Sequence, residues 1–103
     1  MSEVVPLNEM QVHARAAADL LKAMANEHRL MIMCTLINGE LSVGELNSRV
    51  SLSQSALSQH LASLREAGLV STRKEAQTVY YRASGDEANK IIAVLQSIYC
   101  PTT

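Results

Sequence analysis

Ser42 to Ala67, SVGELNSRVSLSQSALSQHLASLREA, is the stretch that decides the fold. Ser42 with Glu45 three residues on has the form of a capping box, in which the hydroxyl and the carboxylate each satisfy an orphan amide at a helix start. A short helix begins there, and Ser51, Leu52 and Ser53 interrupt it. Ser53 can cap a second helix that runs toward Ala67 and is stopped by Gly68. Two short helices around a tight turn read as a helix-turn-helix. Within the second, Leu57, Leu61 and Leu64 follow i, i+4, i+7 and form the buried stripe, while Ser55, Ser58, Ala62 and Arg65 lie opposite.

That outward face is small and polar. Short side chains let a helix sink into a major groove of about 12 Å width, where Gln54, Ser58, Gln59 and His60 can hydrogen-bond base edges. Near the helix start, Gln54 and Ser55 are best placed for bases. The solvated face of an ordinary helical domain has the same pattern, and these residues alone leave both readings open.

The chain has 103 residues, enough for one domain near the lower limit of a comfortable core, so burial in a dimer would help it. It is 48% hydrophobic and 18% charged, the balance of a folded domain, and its apolar runs are too short to cross a bilayer. MSEVVPLNEM has neither the basic region nor the long apolar core of a secretory signal, so the expected location is the cytoplasm, a reducing compartment. A net charge of -1 is awkward for a nucleic-acid binder, because affinity for DNA comes largely from Lys and Arg displacing counterions. Distribution must then matter more than the total. Glu3, Glu9, Asp19, Glu27, Glu40, Asp86 and Glu87 fall away from the reading region, whereas Arg49, Arg65, Arg73, Lys74 and Arg82 fall around it.

Residues 1–8, with Pro6 and little periodicity, read as a mobile arm ahead of a single domain over 9–100. From Glu9 to Met24, Ala14, Ala17, Ala18, Leu21 and Met24 share one side of an amphipathic helix. Its alanines permit close helix approach, which suits a dimer contact and equally suits packing on its own domain. Asn26 can cap the next helix, Glu27 to about Asn38, with Gly39 ending it. Leu30, Met33, Cys34 and Ile37 form its stripe, widened by Ile32 and Leu36; His28 in its first turn reads as a surface or capping residue. After Gly68 the period changes. Leu69–Lys74 and Thr78–Ala83, rich in Val, Thr and Tyr, flank Glu75-Ala76-Gln77 and read as a β-hairpin. Arg73 and Lys74 near its tip can meet phosphates and Gln77 can contact backbone or minor groove, although a hairpin that only caps the core fits too. Tyr80 and Tyr81 point to opposite faces of a regular strand. Ser84-Gly85-Asp86-Glu87 is another capping-box candidate, opening a last helix whose Ala88, Ile91, Leu95 and Ile98 form an apolar stripe broadened by Ile92 and Tyr99. So apolar a terminal helix in so small a chain suits a dimer interface. Pro101 disfavours helix at Cys100, which leaves that thiol at a frayed end.

The fold class is mainly α with a β-hairpin wing: an α+β, dimeric winged helix-turn-helix. It resembles the winged-helix ArsR/SmtB family of bacterial repressors over about Leu20 to Pro101. The most specific segments are LLKAMANEHRL (20–30), LSQSALSQHL (52–61) and RKEAQTVYY (73–81). Together with Tyr99-Cys100 these are most similar to the sulfur-responsive branch of the family. The resemblance implies a homodimer built on the first and last helices, on pseudo-palindromic double-stranded promoter DNA. The helix Ser53–Ala67 would enter the major groove and the hairpin would flank it. The expected DNA-contacting residues are Ser53, Gln54, Ser55, Ser58, Gln59, His60 and Arg65 on the helix, with Arg73, Lys74 and Gln77 on the hairpin.

Many members of the family sense metals through cysteines in the first helix of the helix-turn-helix, but here Ser42 and Gly44 occupy that segment. Zinc-sensing members use Asp and His across the terminal helices, and Asp86–Tyr99 contains no His. No metal and no cofactor is expected. The only two cysteines, Cys34 and Cys100, match the cysteine pair of the sulfur-sensing members, in which oxidation links such a pair and weakens DNA binding. From the residues alone, a structural role remains open. Cys34 lies on an apolar stripe, where a free cysteine is ordinarily buried, and Cys100 sits at the negative end of a helix dipole, which disfavours thiolate.

The leading expectation is a transcription regulator switched by this dithiol. Alternatives are a derepressor with no small-molecule switch, which displaces another DNA-bound protein, and a winged-helix module that serves only protein contacts. A thiol enzyme is disfavoured, since there is no Cys-x-x-Cys, no Gly-rich phosphate loop and no His placed beside either cysteine by sequence.

Overall fold

The computed structural model describes residues 7–100. The elements run α1 (Leu7–Met24), α2 (Glu27–Leu36), β1 (Leu41–Ser42), α3 (Val43–Arg49), α4 (Gln54–Glu66), β2 (Val70–Glu75), β3 (Thr78–Ala83) and α5 (Glu87–Tyr99). Residues 1–6 of the expected arm lie outside the described residues, and its last two, Leu7 and Asn8, already belong to α1.

The helix starts around the helix-turn-helix are fixed by local side chains. Ser42 accepts the Glu45 amide at 3.1 Å while the Glu45 carboxylate accepts the Ser42 amide at 2.8 Å, closing the capping box. Ser53 accepts the Ala56 amide at 3.2 Å, and Asn26 accepts the amides of His28 and Arg29 at 2.9 and 3.1 Å. Each such cap contributes about 1 kcal/mol. The end of α4 is a Schellman motif. Gly68 takes φ +78, its amide donates to the Arg65 carbonyl at 3.0 Å, and the Leu69 amide donates to the Leu64 carbonyl at 2.9 Å. Leu64 and Leu69, which accompany that pair of bonds, are both buried.

The wing is part of a three-stranded antiparallel sheet of order β1-β3-β2. Glu75 pairs with Thr78, so the hairpin link is Ala76-Gln77, one residue shorter than the sequence suggests. Ala76 adopts φ +57 there, the conformation a two-residue turn needs and glycine more commonly supplies. β1, not expected from sequence, pairs Leu41 with Tyr81 and Ser42 with Tyr80.

Ile32, Met33, Leu36, Leu46, Leu57, Leu61, Leu64 and Ile92 are completely enclosed. The α4 stripe is the expected one. In α2 the deepest residues are Ile32, Met33 and Leu36, whereas Leu30, Cys34 and Ile37 are only partly covered. The shift arises because α2 is wrapped by α3, α4, α5 and β3 together and so has no single buried stripe. α2 also stops at Leu36, two residues before Asn38.

The terminal helices leave much of their apolar surface uncovered. Along α1 only Leu20, Ala23 and Met24 approach the core; Ala14, Ala17, Ala18 and Leu21 are exposed, so the alanine face does not pack on its own domain. The capping box proposed at residues 84–87 is not made. Asp86 takes a helical conformation, φ -99 and ψ -20, from which its side chain makes no cap hydrogen bond. In α5, Ala88 and Ile92 are buried and Ile91 and Leu95 are partly covered, but Val94, Ile98 and Tyr99 are 57%, 59% and 77% exposed. Among the described residues no helix is long and apolar enough to cross a membrane.

Candidate nucleic-acid interface and thiol groove

With Leu57, Leu61 and Leu64 turned inward, the opposite face of α4 presents Gln54, Ser55, Ser58, Gln59, Ala62 and Arg65, all exposed. This short-chained polar surface over a rigid apolar stripe has the shape and the hydrogen-bonding groups of a recognition helix. Ser53 lies at its start, with its hydroxyl oxygen occupied by the Ala56 amide and 3.4 Å from the Ser55 hydroxyl.

His60 is the exception. It is half-buried and faces α2, where its Nδ1 accepts a hydrogen bond from Arg29 Nε at 3.2 Å, and its ring lies 5.8 Å from that of His28. Burial, then the charges of Arg29 and His28, hold its pKa below the ordinary histidine value. Its place three residues after Leu57 puts it on the flank of the buried stripe, not on the outward face.

On the wing, Lys74 and Gln77 are exposed, and among the described residues Lys74 makes no salt bridge. Arg73 is engaged. Its Nε and Nη2 each donate to the Glu40 carboxylate at 2.8 Å, its Nη1 donates to Glu75 at 3.2 Å, and its guanidinium lies 4.4 Å from the Tyr80 ring centroid. A bidentate, stacked guanidinium is the strongest form of such a pair. Glu40, which sequence position sets apart from the reading region, is thus folded against the wing, and Arg73 holds its carboxyl below the usual carboxylate range. Arg82 donates to the Ser71 hydroxyl at 3.0 Å. Tyr80 supports Arg73 while Tyr81 packs on the core, as the alternation of a strand requires. Glu40 and Arg29 are the two residues that reading the sequence missed; each partner lies more than thirty positions away, beyond any local pattern.

Both cysteines are free and line one open apolar groove of about 440 Å³ between α2 and α5, with Leu30, Ile92, Leu95, Gln96 and Tyr99. Cys34 is half-buried; burial pushes its thiol pKa up, and the neighbouring Cys100 adds to the shift. Cys100 is exposed at the end of α5, its amide donating to the Gln96 carbonyl at 2.7 Å. Among the described residues no group of three or more His, Cys, Asp or Glu side chains could hold a metal ion.

A capped two-helix reader carrying a small polar face, followed by a hairpin wing, defines a winged helix-turn-helix regulator. Residues 26–72 match the bacterial regulatory proteins of the arsR family. The chain is 61% identical over 94 residues to the transcriptional activator HlyU of Vibrio cholerae, spanning 91% of this chain and 87% of that protein. The solved structure of reduced HlyU from that organism superposes with a TM-score of 0.85, covering 91% of this chain and 99% of that one. The biofilm growth-associated repressor of Agrobacterium fabrum is 47% identical over 96 residues, 93% of this chain and 82% of the repressor. A homodimeric winged helix-turn-helix DNA-binding domain from Mycobacterium bovis, 28% identical, superposes with a TM-score of 0.74 over 95% of this chain and 89% of that one. The chain belongs to the ArsR family and is a transcriptional regulator.

Proposed function

We propose that the protein acts in the cytoplasm as a homodimer on pseudo-palindromic promoter DNA, with α4 in the major groove and the wing beside it. The observation that carries this reading is the exposed polar face of α4 over its fully buried leucines. Gln54, Ser55, Ser58 and Gln59 read bases, Ser53 positions the helix start, and Arg65, Lys74 and Gln77 meet the backbone. The exposed alanine face of α1 and the uncovered Val94, Ile98 and Tyr99 of α5 support a dimer made through these two helices. The Mycobacterium bovis domain is itself homodimeric, which supports a homodimer here.

Fluorescence anisotropy on an operator duplex selected from a randomised library tests this. Lys74→Ala weakens binding to all sequences alike and flattens the slope of log affinity against log salt by about one, whereas Gln54→Ala relaxes base preference. Altered specificity in the wing variant with none in the helix variant would invert the docking. Glu40→Gln has the opposite sign from Lys74→Ala: by releasing Arg73 toward phosphate it raises affinity and steepens the slope by about one. An unchanged slope would mean that Arg73 stays away from DNA in either form.

The shared groove supports a dithiol switch. Cys100, being exposed, reacts first: its thiolate takes the outer sulfur of a persulfide RSSH, forming Cys100-SSH and releasing RSH. Cys34 then attacks Cys100 Sγ, displacing the outer sulfur as H₂S and leaving a Cys34–Cys100 disulfide. A direct bond needs Cα atoms within about 7 Å; where a second RSSH has also converted Cys34 to Cys34-SSH, releasing RSH, the outer sulfur of Cys34-SSH attacks Cys100 Sγ, displaces H₂S and leaves a longer trisulfide. Either link ties α2 to the dimer helix α5.

A further inference from the structure

Arg29 has surroundings that DNA contact does not account for. It is half-buried in the first turn of α2, and among the described residues no carboxylate forms a salt bridge with it. Its hydrogen bonds go to two other helices. Nη1 donates to the Ala23 carbonyl in the last turn of α1 at 3.2 Å, and Nε donates to His60 Nδ1 within α4 at 3.2 Å. Carbonyls in the last turn of a helix have no intrahelical partner and carry the negative end of its dipole, so a guanidinium is favourable there. The donors of a guanidinium leave a rigid plane in fixed directions. Bonds from Nε and Nη1 therefore constrain the end of α1 and the middle of α4 relative to α2, and hence relative to each other.

We propose that Arg29 is a positioning residue for DNA recognition: through His60 it ties the C-terminal end of α1 to the recognition helix and sets how that helix lies in the groove. This rests on α4 being the helix that reads bases. It also assigns His60 a role distinct from base contact. As the acceptor is Nδ1, the neutral imidazole carries its proton on Nε2. The coupling runs in both directions, since α1 also has the exposed alanine face offered to a second copy, so a change in how two copies pack is felt at α4.

The test separates specific from non-specific binding. A misplaced recognition helix loses base contacts but keeps its attraction to phosphates. Arg29→Lys retains the charge but not the fork, and is expected to lose about tenfold in affinity for the selected operator while staying within about twofold on a random duplex. His60→Leu behaves like Arg29→Lys, whereas His60→Asn, which keeps an acceptor near the Nδ1 position, stays within about threefold of the unaltered protein on the operator. Nitrogen NMR of the unaltered protein needs no variant to fold and shows His60 as the Nε2–H tautomer.

The proposal is overturned by unaltered operator affinity in Arg29→Lys, by equal loss on both duplexes, by His60→Asn falling as far as His60→Leu, or by an Nδ1–H tautomer. If the unaltered protein fails to prefer the operator over the random duplex, it is the reading of α4 that fails, a distinguishable result.

Discussion

Treating the reduced protein with a persulfide donor lowers its affinity for operator DNA by roughly 5- to 150-fold, the range of coupling free energies between linked sites. Reductant restores it, and Cys100→Ser abolishes the response. The size follows from the proposed geometry, a two-fold protein on two half-sites. Half-sites lie about one helical turn, 34 Å, apart, and both recognition helices must engage together. A bond from α2 to α5 joins an element of the buried core to a proposed dimer helix, so it acts on the angle between the two halves of the dimer more than on either reader. Anisotropy titrations before and after treatment, with mass spectrometry of the linked peptide, measure it. Equal affinity in both states, with the link formed, would leave Cys34 and Cys100 as groove lining and favour regulation without a small-molecule switch.

The second large effect is on the scaffold of the reader. Leu57→Ala empties a fully enclosed site beneath the face that carries Ser53, Gln54 and Ser58. Truncation of a buried leucine costs about 3 kcal/mol, because lost transfer free energy adds to that of the cavity. In a domain of this size that lowers the thermal midpoint by roughly 15 °C. Circular-dichroism melts at one fixed protein concentration test it, since association couples stability to concentration. A drop of only a few degrees would mean that α4 collapses onto the void and that the reader is less rigid than its packing indicates.

The parts of the fold that were legible in the sequence are those whose cause is local. Ser42 with Glu45, Ser53, Asn26 and Gly68 each act within five residues of themselves, and the Leu57, Leu61, Leu64 stripe is a periodicity of one helix. What was hidden depends on partners far along the chain. β1 is two residues long, too short for alternation to show, and exists only because β3 offers it a ladder. Glu40 with Arg73 and Arg29 with His60 join residues whose spacing carries no signal. His60 illustrates the limit within a single helix: its chemistry suits a base edge, but one position on the helical wheel separates the outward face from the flank, and tertiary packing chose the flank. The thiol groove was approached only through resemblance, because nothing in the separation of Cys34 from Cys100 places them on facing helices.

Ser42 is at once the last residue of β1, paired with Tyr80 of the wing, and the cap of α3. One residue thus joins the sheet to the helix-turn-helix with no linker between them. In the proposed docking, the distance along a duplex between the bases met by α4 and the backbone met by the wing tip is then set by the fold. A base pair inserted between those two footprints displaces one from the other by about 3.4 Å along the axis and rotates it round the helix, so a natural operator for this protein tolerates changes of letter there far better than changes of length.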